Sequence, residues 1–173
     1  MRAFFRIAVL VLVLAFPVSS PAADKVVVIP LMGKTGGTGE LFLSAPSFRS
    51  VTPFLSFSWE EDGLILNPNG VGWWIATLDM PTGITITSLE LFWKNTSQIT
   101  NKTCSVTLNI FNLNTGHGLD LVTKSSTAYQ LGVQSVKTNV FEFPVTANLK
   151  AAVRVYLGHV DKSLIGVKVY YSY

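Results

Sequence analysis

From residue 54 onward, stretch after stretch of the chain alternates apolar and polar side chains. Leu55, Phe57 and Trp59 alternate with Ser56 and Ser58, and Val106, Leu108 and Ile110 with Thr107 and Asn109. Val153, Val155 and Leu157 alternate with Arg154 and Tyr156, and Ile165, Val167, Val169 and Tyr171 with Gly166, Lys168 and Tyr170. A period of two places each apolar set on one face of a pleated strand. No stretch beyond the first 22 residues sustains the 3.6-residue period of an amphipathic helix. Between the alternating stretches stand Asn67-Pro68-Asn69-Gly70, Met80-Pro81-Thr82-Gly83, Asn114-Thr115-Gly116 and Leu157-Gly158-His159. Their Asn, Pro and Gly residues adopt turn dihedrals that β-branched residues resist. The pattern predicts strands over 26–31, 54–59, 73–78, 84–93, 104–112, 120–125, 136–143, 151–157 and 164–172. So many short strands exceed one open sheet with a single buried face. They predict an all-β fold of two packed antiparallel sheets, a jelly-roll-like β-sandwich. Val106, Leu108, Ile110, Val153, Val155, Val167 and Val169 are its expected core.

The first 53 residues depart from this pattern. Arg2 and Arg6 precede an apolar run, Pro17 ends it, and small residues follow at Ser19, Ser20, Ala22 and Ala23. Charge, a short apolar segment and a small-residue cleavage site make a secretory signal, with cleavage expected after Ala22. Even counted from Ala3, the run to Phe16 is 14 residues, short of the roughly 20 that a spanning helix needs. No membrane span is expected after the signal is removed. The expected organisation is a signal peptide over 1–22, an N-terminal strand and glycine-rich linker over 23–53, and the β-sandwich over 54–173. The linker is read from Gly33-Lys34-Thr35-Gly36-Gly37-Thr38-Gly39, a composition typical of flexible chain. The expected location is the periplasm, the cell surface or the extracellular space.

Some of these segments resemble a group of exported bacterial proteins, especially from sediment-dwelling Gram-negative groups. The start ADKVVVIPL (Ala23 to Leu31) is similar to theirs. So is the stretch from Trp73 to Tyr173, with Pro81, Gly83, Ile86 and Thr87 at a turn, LELFWKN from Leu89 to Asn95, a turn from Asn112 to Gly116, and a closing GVKVYY from Gly166 to Tyr171. The resemblance implies export and a β-sandwich module, and it implies no mechanism.

Composition removes several function classes. Arg2 and Arg6 are two of the 13 basic residues, so 11 basic residues meet 10 acidic ones after the signal. No basic stripe points to nucleic acid. A lone cysteine, Cys104, excludes an intramolecular disulfide and reads as a small buried hydrophobe. Gly33-Lys34-Thr35 lacks the upstream glycine of a phosphate loop, and the glycines after it oppose a helix start. His117 and His159 each lie in a turn with an aspartate nearby, a pairing that turns collect for backbone reasons. Glu60, Glu61 and Asp62 read as a solvated turn, without the spacing of a calcium loop. Asn95-Thr96-Ser97 and Asn101-Lys102-Thr103 match the N-glycosylation pattern by chance in a bacterial-looking chain. The expectation is therefore no enzyme, no catalytic residue, no metal and no cofactor.

The tryptophans carry the one functional signal. Trp59, Trp73, Trp74 and Trp93 are candidate ligand-binding residues, because flat aromatic faces pack against the CH groups of sugars. Adjacent Trp73 and Trp74 must point to opposite faces of a strand, so one leaves the core. The leading expectation is an exported binding or assembly protein whose partner is another protein chain or a glycan. The alternatives are a carbohydrate-binding module using exposed tryptophans and a small outer-membrane β-barrel, to which the alternating, aromatic-ended strand 164–172 also conforms.

Overall fold

The alternating stretches pair as two antiparallel sheets. The computed structural model describes residues 36–51, 58–59, 65–66, 72–98 and 102–173. Its strands are β1 (Thr38–Ser44), β2 (Arg49–Ser50), β3 (Ser58–Trp59), β4 (Ile65–Leu66), β5 (Gly72–Leu78), β6 (Thr85–Asn95), β7 (Cys104–Asn112), β8 (Gly118–Ser126), β9 (Gly132–Lys137), β10 (Phe143–Pro144), β11 (Leu149–Leu157) and β12 (Lys162–Ser172), with a short 3-10 turn at Ala45–Ser47. One sheet runs β2-β5-β11-β7-β8. The other runs β10-β6-β12-β4-β3, with β1 also on β12 and β9 also on β6. Among the described residues the two sheets are separate and open-edged. This is a jelly-roll-like β-sandwich and not a closed barrel, which corrects the outer-membrane-barrel alternative. Among the described residues no helix is long and apolar enough to cross a membrane.

The core is the seam between the two inner faces. Trp74, Val106, Leu108, Val153, Val155 and Leu157 from the five-stranded sheet meet Ile86, Leu89, Leu91, Trp93, Leu164, Val167 and Val169 from the other. The expected core residues are all buried except Ile110, which packs half-buried against the cluster near the end of β7. Strand β7 coincides with its expected bounds from Cys104 to Asn112. The expected strand 26–31 lies outside the described residues, as do most of 54–59 and the acidic run at Glu60 to Asp62.

Three features differ from the sequence expectation, each for a local physical reason. Thr38–Ser44, counted within the linker, is a seven-residue strand paired with β12 from Thr38↔Ser172 to Ser44↔Gly166. Gly39 within it and Gly37 just before it are seats for rings: a Cβ on Gly37 would fall 2.6 Å from Tyr173 Cζ, and one on Gly39 would fall 2.5 Å from Tyr171 Cζ. Next, Leu164 rather than Ile165 faces the core, because the β6–β12 register shifts between Leu164 and Gly166 and leaves Ile165 as a bulge. Finally, the expected strand 136–143 divides into β9 and β10. Between them the chain follows β6 irregularly: Leu89 N–H donates to Thr138 Oγ1 at 3.0 Å, and Phe141 N–H donates to the Thr87 carbonyl at 2.9 Å. Thr87 is itself displaced by the second β6–β12 register shift.

The crossover from β8 to β9 passes from one sheet to the other and is pinned by a buried polar node. Lys162 is 2% exposed, and its Nζ donates to Asn95 Oδ1 at 3.0 Å and to the Ala128 carbonyl at 3.3 Å. Asn95 Nδ2 donates to the carbonyls of Ala128 and Gln130. Burying an ammonium is costly unless such acceptors surround it. These bonds also commit the buried Asn95 amide to the protein interior.

Two outcomes follow. Leu108→Ala should cost about 2–5 kcal/mol in chemical denaturation, through lost burial and a residual cavity. A loss under about 0.5 kcal/mol would be a surface value and would contradict the seam. Cys104 is buried, and burial pushes its thiol up to about 11. The unfolded thiol ionises first as pH rises, so the contribution of Cys104 to stability is present below its ordinary value of 9.0 and is lost through about 11. A thiol reagent at mildly alkaline pH should leave the folded protein unlabelled and label it at once in denaturant.

Candidate functional site

The pleat of β5 separates the paired tryptophans. Trp74 is fully buried in the core and Trp73 stands half-buried on the outer face of the five-stranded sheet. Trp93 is also fully buried, on the opposite sheet, with Nε1 donating to Asn95 Oδ1 at 3.0 Å. Trp59 belongs to β3, and its side chain lies outside the described residues. The expected set of Trp59, Trp73, Trp74 and Trp93 is thus not one surface cluster: Trp74 and Trp93 are core residues because the inner faces need large apolar volume. Only Trp73 of the three described rings reaches the outer face.

Around Trp73 the strand register assembles groups that are distant in sequence. Trp73 pairs with Tyr156 on β11, and their ring centroids are 5.0 Å apart at 43°. Arg154 lies two residues from Tyr156 and so shares its face. Its guanidinium carbon sits 4.6 Å from the Trp73 ring centroid, within cation–π range. Arg154 Nη1 donates to Asp120 on β8 at 3.2 Å, and Asn109 Nδ2 on β7 donates to the same Asp120 Oδ1 at 2.7 Å. Asp120 reaches this face through a register shift between Leu108 and Asn109. Leu108 pairs with Val122 but Asn109 with Asp120, so Leu121 is skipped and a carboxylate replaces a leucine opposite Asn109.

Beside the Trp73–Arg154–Tyr156 ladder lies a depression of about 620 Å³. Val51, Ile75, Phe111 and Leu119 supply its apolar walls, and Asn109, Asp120 and Arg154 its polar part. Val51 is 48% exposed, Phe111 40% and Leu119 61%. Contiguous exposed apolar surface of that kind marks a contact site. Asn109 is 5% exposed, and its Oδ1 is buried with no hydrogen-bond partner among the described residues. The site can therefore present a fixed aromatic platform, apolar walls and an adjacent donor and acceptor.

Among the described residues neither histidine is joined to a nucleophile it could activate. His117 is exposed in the β7–β8 turn, and Asp120 is held by Arg154 and Asn109 instead. His159 Nδ1 accepts from Asp161 N–H at 3.2 Å and lies 3.4 Å from Asp161 Oδ2. Ser97 Oγ donates to that same carboxylate oxygen at 2.6 Å. The carboxylate stands between hydroxyl and imidazole, so the histidine is not placed to take a proton from Ser97. Among the described residues no group of three His, Cys, Asp or Glu side chains is placed to hold a metal ion.

Sequence reasoning missed Arg154, Tyr156, Asp120 and Asn109. The signal available was the outward set of VRVYL, in which a planar cation and an aromatic occupy successive outward positions on the β11 strand. Nothing local could pair them with Trp73.

No protein-family model matches the chain, and no curated protein matches it. Among solved structures, it is similar to the N-terminal CBM22-1–GH10 modules of the Clostridium thermocellum endo-1,4-β-D-xylanase 10B complexed with xylohexaose, at 16% identity and TM-score 0.49, over 73% of this chain and 26% of that one. It is also similar to the Eiger TNF from S. frugiperda, at 12% identity and TM-score 0.40, over 80% of this chain and 91% of that one. A third is TmCBM61 in complex with β-1,4-galactotriose, at 9% identity and TM-score 0.36, over 79% and 87% of the two chains. The chain thus spans about a quarter of the xylanase chain, and these likenesses concern the fold.

The two adjacent tryptophans should respond oppositely to substitution. Trp74→Ser removes a fully buried ring and should cost at least about 3 kcal/mol, enough to unfold a marginal domain. Trp73→Ser removes a half-buried ring with its contacts to Tyr156 and Arg154 and should cost about 1 kcal/mol. Thermal melting of both variants checks this. Equal losses would place both rings in the core.

Proposed function

We propose that this chain is an exported, non-enzymatic binding protein, and that its ligand is a glycan lying across the outer face of the five-stranded sheet. The observation that carries the reading is the Trp73–Arg154–Tyr156 ladder beside a depression lined by polar and apolar groups together. Sugar rings have apolar CH faces and hydroxyl rims. The CH faces pack on aromatic and aliphatic surface, while the hydroxyls need donors and acceptors within reach. Trp73, Ile75 and Phe111 offer the first, and Arg154 and Asp120 the second. A protein partner fits less well. Protein interfaces keep charged residues out of their core, and here the Arg154–Asp120 pair lines the depression together with Ile75, Phe111 and Leu119. Export is supported by the n-region, apolar run and small-residue site of residues 1–22.

The test is a panel of soluble polysaccharides in affinity electrophoresis and calorimetry, followed by tryptophan fluorescence. Retention by at least one glycan is expected, with a fluorescence change that Trp73→Ala abolishes and an affinity loss of about tenfold or more in that variant, equivalent to about 1.4 kcal/mol. Failure to bind any glycan, or binding that Trp73→Ala leaves intact, would sink the reading.

A further inference from the structure

The charges in the depression select among glycans. We infer that this face takes neutral glycan chains and turns away uronate-bearing or sulfated ones, with Asp120 as the discriminating residue; this rests on the glycan reading above. Arg154 is the cation that lines the depression, and Asp120 meets it at 3.2 Å through Oδ1 and 3.4 Å through Oδ2. The pair has no net charge. Asp120, itself 49% exposed, is also held by the amide of the buried Asn109 at 2.7 Å, so swinging aside breaks two contacts. Two more cations share this sheet face. Lys150, opposite Phe111, lies 3.9 Å from Asp79, both of them exposed, and the exposed Arg49 stands opposite Ile75 on β2. Neither of them lines the depression, as Arg154 and Asp120 do.

The pair therefore acts as a donor next to an acceptor. A sugar hydroxyl is both at once. One hydroxyl can donate to Asp120 while its neighbour accepts from the guanidinium, so neighbouring ring hydroxyls match the pair. A carboxylate or sulfate only accepts. It must compete with Asp120 for Arg154, and it leaves a like charge directly beside it. Like-charge juxtaposition of this kind suppresses wrong partners.

The experiment uses the full exported protein in affinity electrophoresis at low and physiological salt. The neutral probes are xylan, β-glucan and galactan, and the anionic probes are polygalacturonate and dextran sulfate. Neutral chains should bind at least about tenfold more tightly than anionic ones, with little salt dependence. In Asp120→Asn the anionic-to-neutral affinity ratio should rise about tenfold. Wild-type protein that prefers the anionic chains overturns this inference and leaves the glycan reading standing. Wild-type protein that binds no probe overturns both. A folded Asp120→Asn protein with an unchanged ratio removes Asp120 from the role. The wild-type comparison decides the preference even if that variant does not fold.

Discussion

Burial of Trp74 is the constraint from which the outer face of the five-stranded sheet follows. That ring is fully enclosed by the seam between the sheets. Once it is inside, the pleat turns Trp73 outward, and the antiparallel register sets Tyr156 opposite it. The side chain two residues along from Tyr156, Arg154, then falls over the indole. A large apolar ring is thereby left at the surface, and a cation and a second ring cover part of it. Core packing and the candidate site are two sides of one strand pair.

Register shifts do the rest of the positioning. The shift in the β7–β8 pair exchanges Leu121 for Asp120 opposite Asn109, which puts a carboxylate where a strict ladder would leave an aliphatic side chain. The shifts in the β6–β12 pair choose Leu164 over Ile165 for the core and displace Thr87, whose carbonyl then receives the Phe141 N–H. Each shift changes which side chains face which way beyond it, so a single extra residue alters both packing and chemistry. The shift on β8 also disturbs the exposed edge of the five-stranded sheet, a feature that discourages edge-to-edge pairing.

A buried polar node stands where the chain changes sheets. Lys162, Asn95 and the carbonyls of Ala128 and Gln130 hold the β8–β9 crossover against β6 and β12. Trp93 joins the same node through its indole N–H, which makes this tryptophan part of the fold's bracing and not of a binding surface. Two of the four tryptophans thus serve packing, and the aromatic count alone could not distinguish them from Trp73.

The period-two pattern by itself determined the all-β class, the two-sheet arrangement, the bounds of β7 and most of the core, because burying one face of a pleated strand imprints itself on consecutive residues. It also determined that Trp73 and Trp74 part company, since pleating is a property of the strand alone. Which of the two goes inside was decided by the partner strands. So was the role of the glycines at 37 and 39, which look like linker in sequence and in the fold lie beneath Tyr173 and Tyr171. The pairing of Arg154 with Asp120 and of Trp73 with Tyr156 joins residues far apart along the chain, through register and bulges that depend on the whole sheet. Local composition carries no record of that register, so the site emerged only from the tertiary structure.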